Sequence, residues 1–360
     1  MTQFLRDILR QPNELQRTLD HLSGTGRDGL DAAVAAVRSA RHVYLTGIGS
    51  SWHAGLNVSA LFQLGARPVY LVDAAEMVQF AVIPAESVLI VISRSGRSLE
   101  IVQLLVKARE SGATVIGITN AADGALARQA EIPIVVPVAM DHAISVNTYT
   151  TLALAAGMLA GALSGSVDLK GRTARNGCPT DSLSSAFAAA GDAIPGWQKQ
   201  IENSAWLAPG CTTYFLARGS SLGSAYEARL MWEEGVKSPA TAMGAASFRH
   251  GPQEIVQKDM RFGIWIDGAR MRDQDLALAR DLRTLGAQVM LIGQRLPEDA
   301  GDLVFQLPEI PSEWQFLIDI IPAQLVAERL ARLSGSDPDT FRLCSFVVED
   351  EAGLLPKTKK

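Results

Sequence analysis

Cysteine is scarce in this chain. Cys178, Cys211 and Cys344 are the only three among 360 residues. Their wide spacing supports neither a disulfide framework nor a zinc site, and a reducing compartment is the expectation. Histidine is nearly as rare, at five, so few imidazoles are at hand for proton transfer near neutral pH. No run of about 18 uninterrupted apolar residues occurs, which argues against a membrane span. The N-terminus carries Arg6, Asp7, Arg10 and Glu14 in its first turns, and this is not the pattern of a signal peptide. A cytoplasmic protein with no membrane partner is therefore expected. Clusters of Lys and Arg are missing outside the last few residues and the formal charge is −5, so nucleic acid is not an expected partner. A phosphate-bearing ligand would have to be held locally, by a few well-placed groups.

At 48% hydrophobic and 20% charged, the chain has enough apolar material for two ordinary cores. Its most informative feature is a serine-glycine turn that ends a hydrophobic run twice. Val43-Tyr44-Leu45-Thr46-Gly47-Ile48-Gly49-Ser50-Ser51 opens the first half, and Thr213-Tyr214-Phe215-Leu216-Ala217-Arg218-Gly219-Ser220-Ser221 opens the second. In each copy the run reads as a buried strand, the glycine permits a tight turn, and an alanine-rich stretch reads as a helix.

Further strand-like runs at Val69–Val72, Val88–Ile92, Thr114–Thr119 and Ile132–Val136 alternate with helical stretches in the first half. Runs at Phe262–Ile266, Gln288–Ile292 and Leu303–Gln306 do so in the second, before a long amphipathic helix over Trp314–Leu333. Such a βαβ rhythm implies parallel sheets covered on both faces. Gln3 to Leu22 reads as one or two short helices around a break at Pro12, and Ser164–Pro179 reads as a polar loop. The expected division is a helical segment over 1–34, a first domain over 35–170, a second over 200–335 and a tail over 336–360.

Three segments carry residues suited to chemistry. Ser93-Arg94-Ser95-Gly96-Arg97-Ser98 precedes the helix formers of Leu99–Glu110. Its hydroxyls and helix-start N–H groups suit an anion such as phosphate, with Arg94 or Arg97 able to add charge, although serine also suits any capped helix start. Tyr226 to Gly235 is a helical stretch with three carboxylates. Glu227 and Glu234 lie two turns apart on one face, which Glu233 leaves by about 100°. A carboxylate in a partly dry cleft can move a proton between adjacent carbons, whereas a solvated face needs no such role. In Phe248-Arg249-His250-Gly251-Pro252, His250 stands at a loop tip before a proline suited to the first position of a helix. His53 and His142 are weaker candidates of the same kind.

Taken in order, these segments resemble the tandem sugar isomerase (SIS) domain family, as in the isomerase half of glucosamine-6-phosphate synthase. Gly49-Ser50-Ser51-Trp52-His53-Ala54-Gly55 is similar to that family's Gly-Thr-Ser-aromatic turn, and the Ser93–Ser98 loop to its Ser-Gln-Ser-Gly-Glu-Thr phosphate loop. Arg218-Gly219, the Glu234 helix and Arg249-His250-Gly251-Pro252 are similar to its catalytic stretch. The resemblance implies an α/β fold of two tandem SIS domains, each a parallel five-stranded sheet flanked by helices in a flavodoxin-like three-layer sandwich. It also implies sugar 6-phosphate binding by Ser50, Ser51, Ser93, Arg94, Ser95 and Ser98, C1–C2 proton transfer by Glu234 and ring opening aided by His250. Neither a metal nor an organic cofactor is implied.

The His250 segment and Asp337-Pro338-Asp339 look most like the branch that cleaves 6-phosphorylated Amadori compounds, so deglycation or deamination of an amino-sugar 6-phosphate is expected. An aldose–ketose isomerase and a non-catalytic sugar-phosphate sensor are the alternatives. Three departures bear on the choice. Met231 stands where the synthase has a lysine one turn before its catalytic Glu, no glutaminase domain precedes the first turn, and the synthase's terminal Lys is not recognisable, Lys357 being the nearest substitute. The family further implies a homodimer in which His250 completes the partner's site.

Overall fold

The computed structural model describes residues 1–65, 67–165, 167 and 179–350. Lys357, Cys178 and most of the predicted 164–179 loop lie outside them. The chain divides into two compact units, a first lobe of Arg17–Cys178 with Asp339–Lys360 and a second of Met1–Gln16 with Pro179–Pro338.

The N-terminal segment is one helix, α1 (Gln3–Ser23), and not two short ones: Pro12 lies inside it. A proline there removes a helical hydrogen bond and costs about 3 kcal/mol. Burial of Phe4, Ile8, Leu15, Leu19 and Leu22 along one stripe offsets that loss and keeps the helix continuous.

The first lobe runs α2 (Arg27–Ser39), β1 (His42–Gly47), α3 (Ser50–Leu64), β2 (Tyr70–Asp73), α4 (Ala74–Gln79), β3 (Ser87–Ser93), α5 (Leu99–Ser111), β4 (Thr114–Thr119), α6 (Ala125–Gln129), β5 (Ile132–Val135) and α7 (Asn147–Ser164). Its strands are parallel in the order β2-β1-β3-β4-β5. Every residue of β3 is buried, as a central strand covered on both faces requires. Leu89, Val91 and Val115 pack with α4, α5 and α6. Leu45 instead meets α3 at Gly55, on the face where α3 packs on α7.

The second lobe runs α8 (Pro179–Glu202), β6 (Thr213–Ala217), α9 (Leu222–Met231), β7 (Ala240–Gly244), α10 (Ala245–Phe248), β8 (Arg261–Trp265), α11 (Arg272–Thr284), β9 (Gln288–Gly293), β10 (Leu303–Gln306) and α12 (Ile320–Leu333). Its parallel order, β10-β9-β8-β6-β7, is the first lobe's order repeated. The edge strand β7 has no signature in the sequence, because Ala-Thr-Ala-Met-Gly offers neither an apolar run nor β-branched residues beyond Thr241. The long terminal helix is interrupted: a 3₁₀ turn over Ser312–Leu317 precedes α12, and Asp319 stands at the break.

The duplication is visible residue by residue. Gly49 and Gly219 hold φ of 56° and 54°, and residues 51–60 and 221–230 share one sequence of buried and half-buried positions. In each lobe the helices that follow the two central neighbours, α3 after β1 and α5 after β3, or α9 after β6 and α11 after β8, leave for opposite faces, which opens a crevice at the carboxyl ends of those strands. Ligands of doubly wound sheets bind at such topological switch points.

Candidate functional site

The first-lobe crevice is shaped by three glycines. A Cβ on Gly47 would stand 2.9 Å from the Ser51 backbone and 3.0 Å from the Ile92 carbonyl, so only glycine lets the turn after β1 close. Gly49 and Gly96 hold φ of 56° and 61°, where side chains are disfavoured, and a Cβ on Gly96 would also meet Leu126 at 2.9 Å. The Gly96 N–H donates to Ser93 Oγ at 3.1 Å, and the Arg97 N–H to Ser95 Oγ at 3.2 Å. Each hydroxyl oxygen thus accepts from the loop's own backbone, and a hydroxyl that accepts still has a hydrogen to donate. Ser98 is the N-cap of α5 but makes no side-chain cap bond. Ser50 and Ser51 open α3 across the crevice, half-buried and buried respectively. Both serine turns follow adjacent strands, β1 and β3, at their carboxyl ends, and each leads into a helix start, a kind of position that suits an oxyanion in general. Thr119, which the sequence reading did not single out, donates to the Arg94 carbonyl at 3.2 Å and so ties the loop to the end of β4.

The two arginines of this loop are already engaged. Arg94 Nη1 donates to the Ala143 carbonyl at 3.2 Å and to Ser145 Oγ at 3.0 Å, and Nη2 donates to the Phe346 carbonyl at 2.7 Å. Its guanidinium lies 4.0 Å from the Phe346 ring centroid. The Leu99 N–H, at the first position of α5, donates to the Val348 carbonyl at 3.0 Å, so 346–348 lies along the loop's helix start. Arg97 pairs with Asp123. Ser50 and Ser51 thus follow β1, Ser93, Ser95 and Ser98 follow the adjacent β3, and the Arg94 guanidinium is held by Ala143, Ser145 and Phe346.

Asp141 organises the neighbouring segment. Its buried carboxylate accepts from the N–H groups of Val146, Asn147 and Thr148 at 2.9, 3.0 and 2.9 Å, from Asn147 Nδ2 at 2.7 Å and from Thr148 Oγ1 at 2.6 Å. It thereby satisfies the start of α7, where a negative charge also meets the positive end of the helix. Asp141→Ala is expected to cost about 3 kcal/mol, read as a lowered urea midpoint with an unchanged m-value. An unshifted midpoint would contradict this role. His53 is buried in α3, edge-on to Trp52 at 5.9 Å between centroids, and His142 is exposed beside Asp141.

In the second lobe α9 does not end as an α-helix. It continues as a π turn over Trp232–Val236, a feature frequent at functional sites. Glu227 is fully buried, Glu234 half-buried, and Glu233 exposed within 3.4 Å of Arg229. Lys237 closes the turn at φ 59°, and its Nζ donates to the Glu234 carbonyl. Trp232 packs edge-on to Phe215, with ring centroids 4.8 Å apart.

His250 is exposed, on a turn between α10 and a 3₁₀ turn that Pro252 begins, with Gly251 at φ 125°. Phe248, two residues earlier, packs against Tyr214 and Phe262 at 6.1 and 5.6 Å. Tyr214 and Phe215 are consecutive on β6 and so point to opposite faces. The elements carrying Glu234 and His250 therefore lie on opposite sides of the second sheet.

The second-lobe crevice lacks the hydroxyl loop. Val43 pairs with Val88, and Thr213 with Arg261, so Ile266, Gly268 and Met271 take the places of Ser93, Ser95 and Ser98. Instead Arg218 Nε donates to Asp275 Oδ1 at 2.7 Å, and the Asp267 N–H donates to Asp275 Oδ2 at 3.3 Å. Burial pushes the Asp275 carboxyl up despite the opposing pull of Arg218. Among the described residues no group of three or more His, Cys, Asp or Glu is placed to hold a metal ion, and no helix is long and apolar enough to cross a membrane.

Comparison with known proteins agrees with this geometry. Residues 36–161 match the SIS domain. The chain is 24% identical over 345 residues to a glutamine–fructose-6-phosphate aminotransferase (isomerizing) of Pyrobaculum aerophilum, with 94% of this chain and 56% of that protein covered. It thus spans little more than half the length of that relative. A glucosamine-6-phosphate deaminase of Thermotoga maritima shares the fold with a TM-score of 0.78 at 21% identity, over 96% of this chain and 99% of that one. A tagatose-6-phosphate ketose/aldose isomerase of Escherichia coli does so with a TM-score of 0.80 at 19% identity, over 99% and 98%. The first sheet, the serine loop and the switch-point crevice all lie inside the segment that matches the SIS domain.

Proposed function

We propose that this protein is an enzyme acting on an amino-sugar or Amadori 6-phosphate, releasing an amine by deglycation or deamination. The observation that carries this reading is the serine loop closed on its own backbone N–H groups after β3, which suits a sugar phosphate, together with a half-buried Glu234 on a π turn. In the ketoamine case, Glu234 takes a proton from C1, the electron pair forms the C1–C2 double bond, and the C2 carbonyl oxygen becomes an enol. Return of a proton to C2 leaves a C1–nitrogen double bond. Addition of one water then frees the amine and an aldose 6-phosphate. His250 opens the sugar ring by moving a proton from the anomeric hydroxyl to the ring oxygen.

Met231 is fully buried and carries no amine, which disfavours a step that depends on a lysine there. The opposite-face placement of Glu234 and His250 supports a homodimer in which each His250 serves its partner's site. The shared fold of the E. coli isomerase keeps a second reading in view, an aldose–ketose isomerase that needs the same proton transfer and no leaving amine.

The test is to offer purified protein fructosamine 6-phosphates, glucosamine 6-phosphate and their unphosphorylated counterparts. Amine and hexose 6-phosphate are expected from phosphorylated substrates only. Interconversion of hexose 6-phosphates without amine release would replace this reading by the isomerase, and binding without turnover would replace it by a sensor.

A further inference from the structure

The switch-point crevice of the second lobe is no gap. Arg218 comes from the loop after β6, Asp275 from the first turn of α11, and the Asp267 N–H from the end of β8, and their bonds of 2.7 and 3.3 Å meet on one carboxylate. Asp275 is 0% exposed. The Arg218 side chain is 16% exposed, and its paired partner in the crevice is this carboxylate. Two features of the first-lobe crevice recur around them, a positive-φ glycine after the first strand and a second helix start, whereas the Ser220 hydroxyl turns to the Ser312 carbonyl and that of Ser221 to the Asp319 carboxylate. In place of three hydroxyls, this crevice has a guanidinium and an anion of its own.

We propose that the second lobe retains an oxyanion site which Asp275 fills from within, so that the chain takes one phosphate group and not two. A carboxylate held by a guanidinium and a backbone N–H presents two oxygens where a tetrahedral oxyanion would present three or four. Its covalent attachment to α11 makes it an occupant that free phosphate does not displace. Removal of Asp275 leaves Arg218 as a largely buried, uncompensated cation. That state is destabilised until an external anion enters. The inference draws on the proposed first-lobe phosphate site only for the count of one.

The experiment compares wild type with Asp275→Ser, measuring melting temperature against inorganic phosphate and, separately, formate, and counting bound phosphate by calorimetry. Asp275→Ser is expected to melt below wild type in the absence of phosphate and to regain stability in proportion to the logarithm of phosphate concentration. Bound phosphate should rise from one per chain to two. Arg218→Leu with Asp275→Leu, which removes both charges, should fold and gain nothing beyond the wild-type response. Where Asp275→Ser does not fold unaided, refolding yield against phosphate becomes the readout, and a yield indifferent to phosphate overturns the proposal. Rescue by formate but not by phosphate also overturns it, because the space then fits only a carboxylate. An unchanged phosphate count in a folded variant does the same. If wild type binds no phosphate and the variant binds one, the first-lobe reading fails while this one stands.

Discussion

Glu234→Gln is expected to lower turnover by at least about a hundredfold, the usual scale for loss of a positioned general base. Binding of the sugar phosphate should change little, because Glu234 is not among the groups proposed to hold the phosphate. The amide is nearly isosteric and the Lys237 bond goes to the main-chain carbonyl, so the π turn should persist. His250→Ala should also be impaired. If sites are shared across a two-fold dimer, an exchanged mixture of the two inactive variants contains chains that supply the intact Glu234 of one protein and the intact His250 of the other. Roughly a quarter of wild-type sites would then be restored. Full activity in Glu234→Gln removes it as the base. A mixture that exchanges subunits and stays dead shows that His250 serves its own chain's site.

Much of the fold was legible because its strands are local and strongly apolar. β3 is buried along its whole length and reads as an uninterrupted run. β7 is an edge strand that among the described residues pairs with β6 alone, so little burial is asked of it and its five residues carry no pattern. Regular periodicity puts Glu227 and Glu234 on one face, and the π turn changes that spacing by an extra residue stabilised by contacts distant in sequence. One of these is the Ser336 hydroxyl donating to the Val236 carbonyl at 2.9 Å. Arg94 shows the same limit. Its position in a serine loop reads as a phosphate ligand, and only tertiary structure brings Phe346, 252 residues away, to its guanidinium. The bonds of Ser93 and Ser95 are of the legible kind, because their partners lie two or three residues away in sequence.

The break before α12 has an energetic consequence that a continuous helix would lack. Asp319 is fully buried, with Ser224 Oγ donating to its carboxylate at 2.6 Å and Trp265 Nε1 donating to its main-chain carbonyl at 3.0 Å. Burial pushes its carboxyl up to about 7, outweighing the hydrogen bonds that favour the charged form. In the unfolded chain the group titrates near the ordinary value of 3.8. The folded protein therefore keeps a proton that the unfolded chain gives up, and stability declines as pH rises from about 4 to about 7, then levels off. A shift of this size corresponds to on the order of 4 kcal/mol. Asp319→Asn keeps an acceptor for Ser224 and cannot ionise. It should match wild type near pH 4 and exceed it by a few kcal/mol near pH 8. Trp197, Trp206, Trp232, Trp265 and Trp314 all lie in the second lobe, so intrinsic fluorescence in urea reports mainly on the unit that contains Asp319. Other titrating groups contribute equally to both proteins, which makes the difference between their pH profiles the property of one carboxyl group. Parallel profiles would mean that Asp319 ionises in the folded state with no penalty, and that water reaches a group the packing of α9 and α12 encloses.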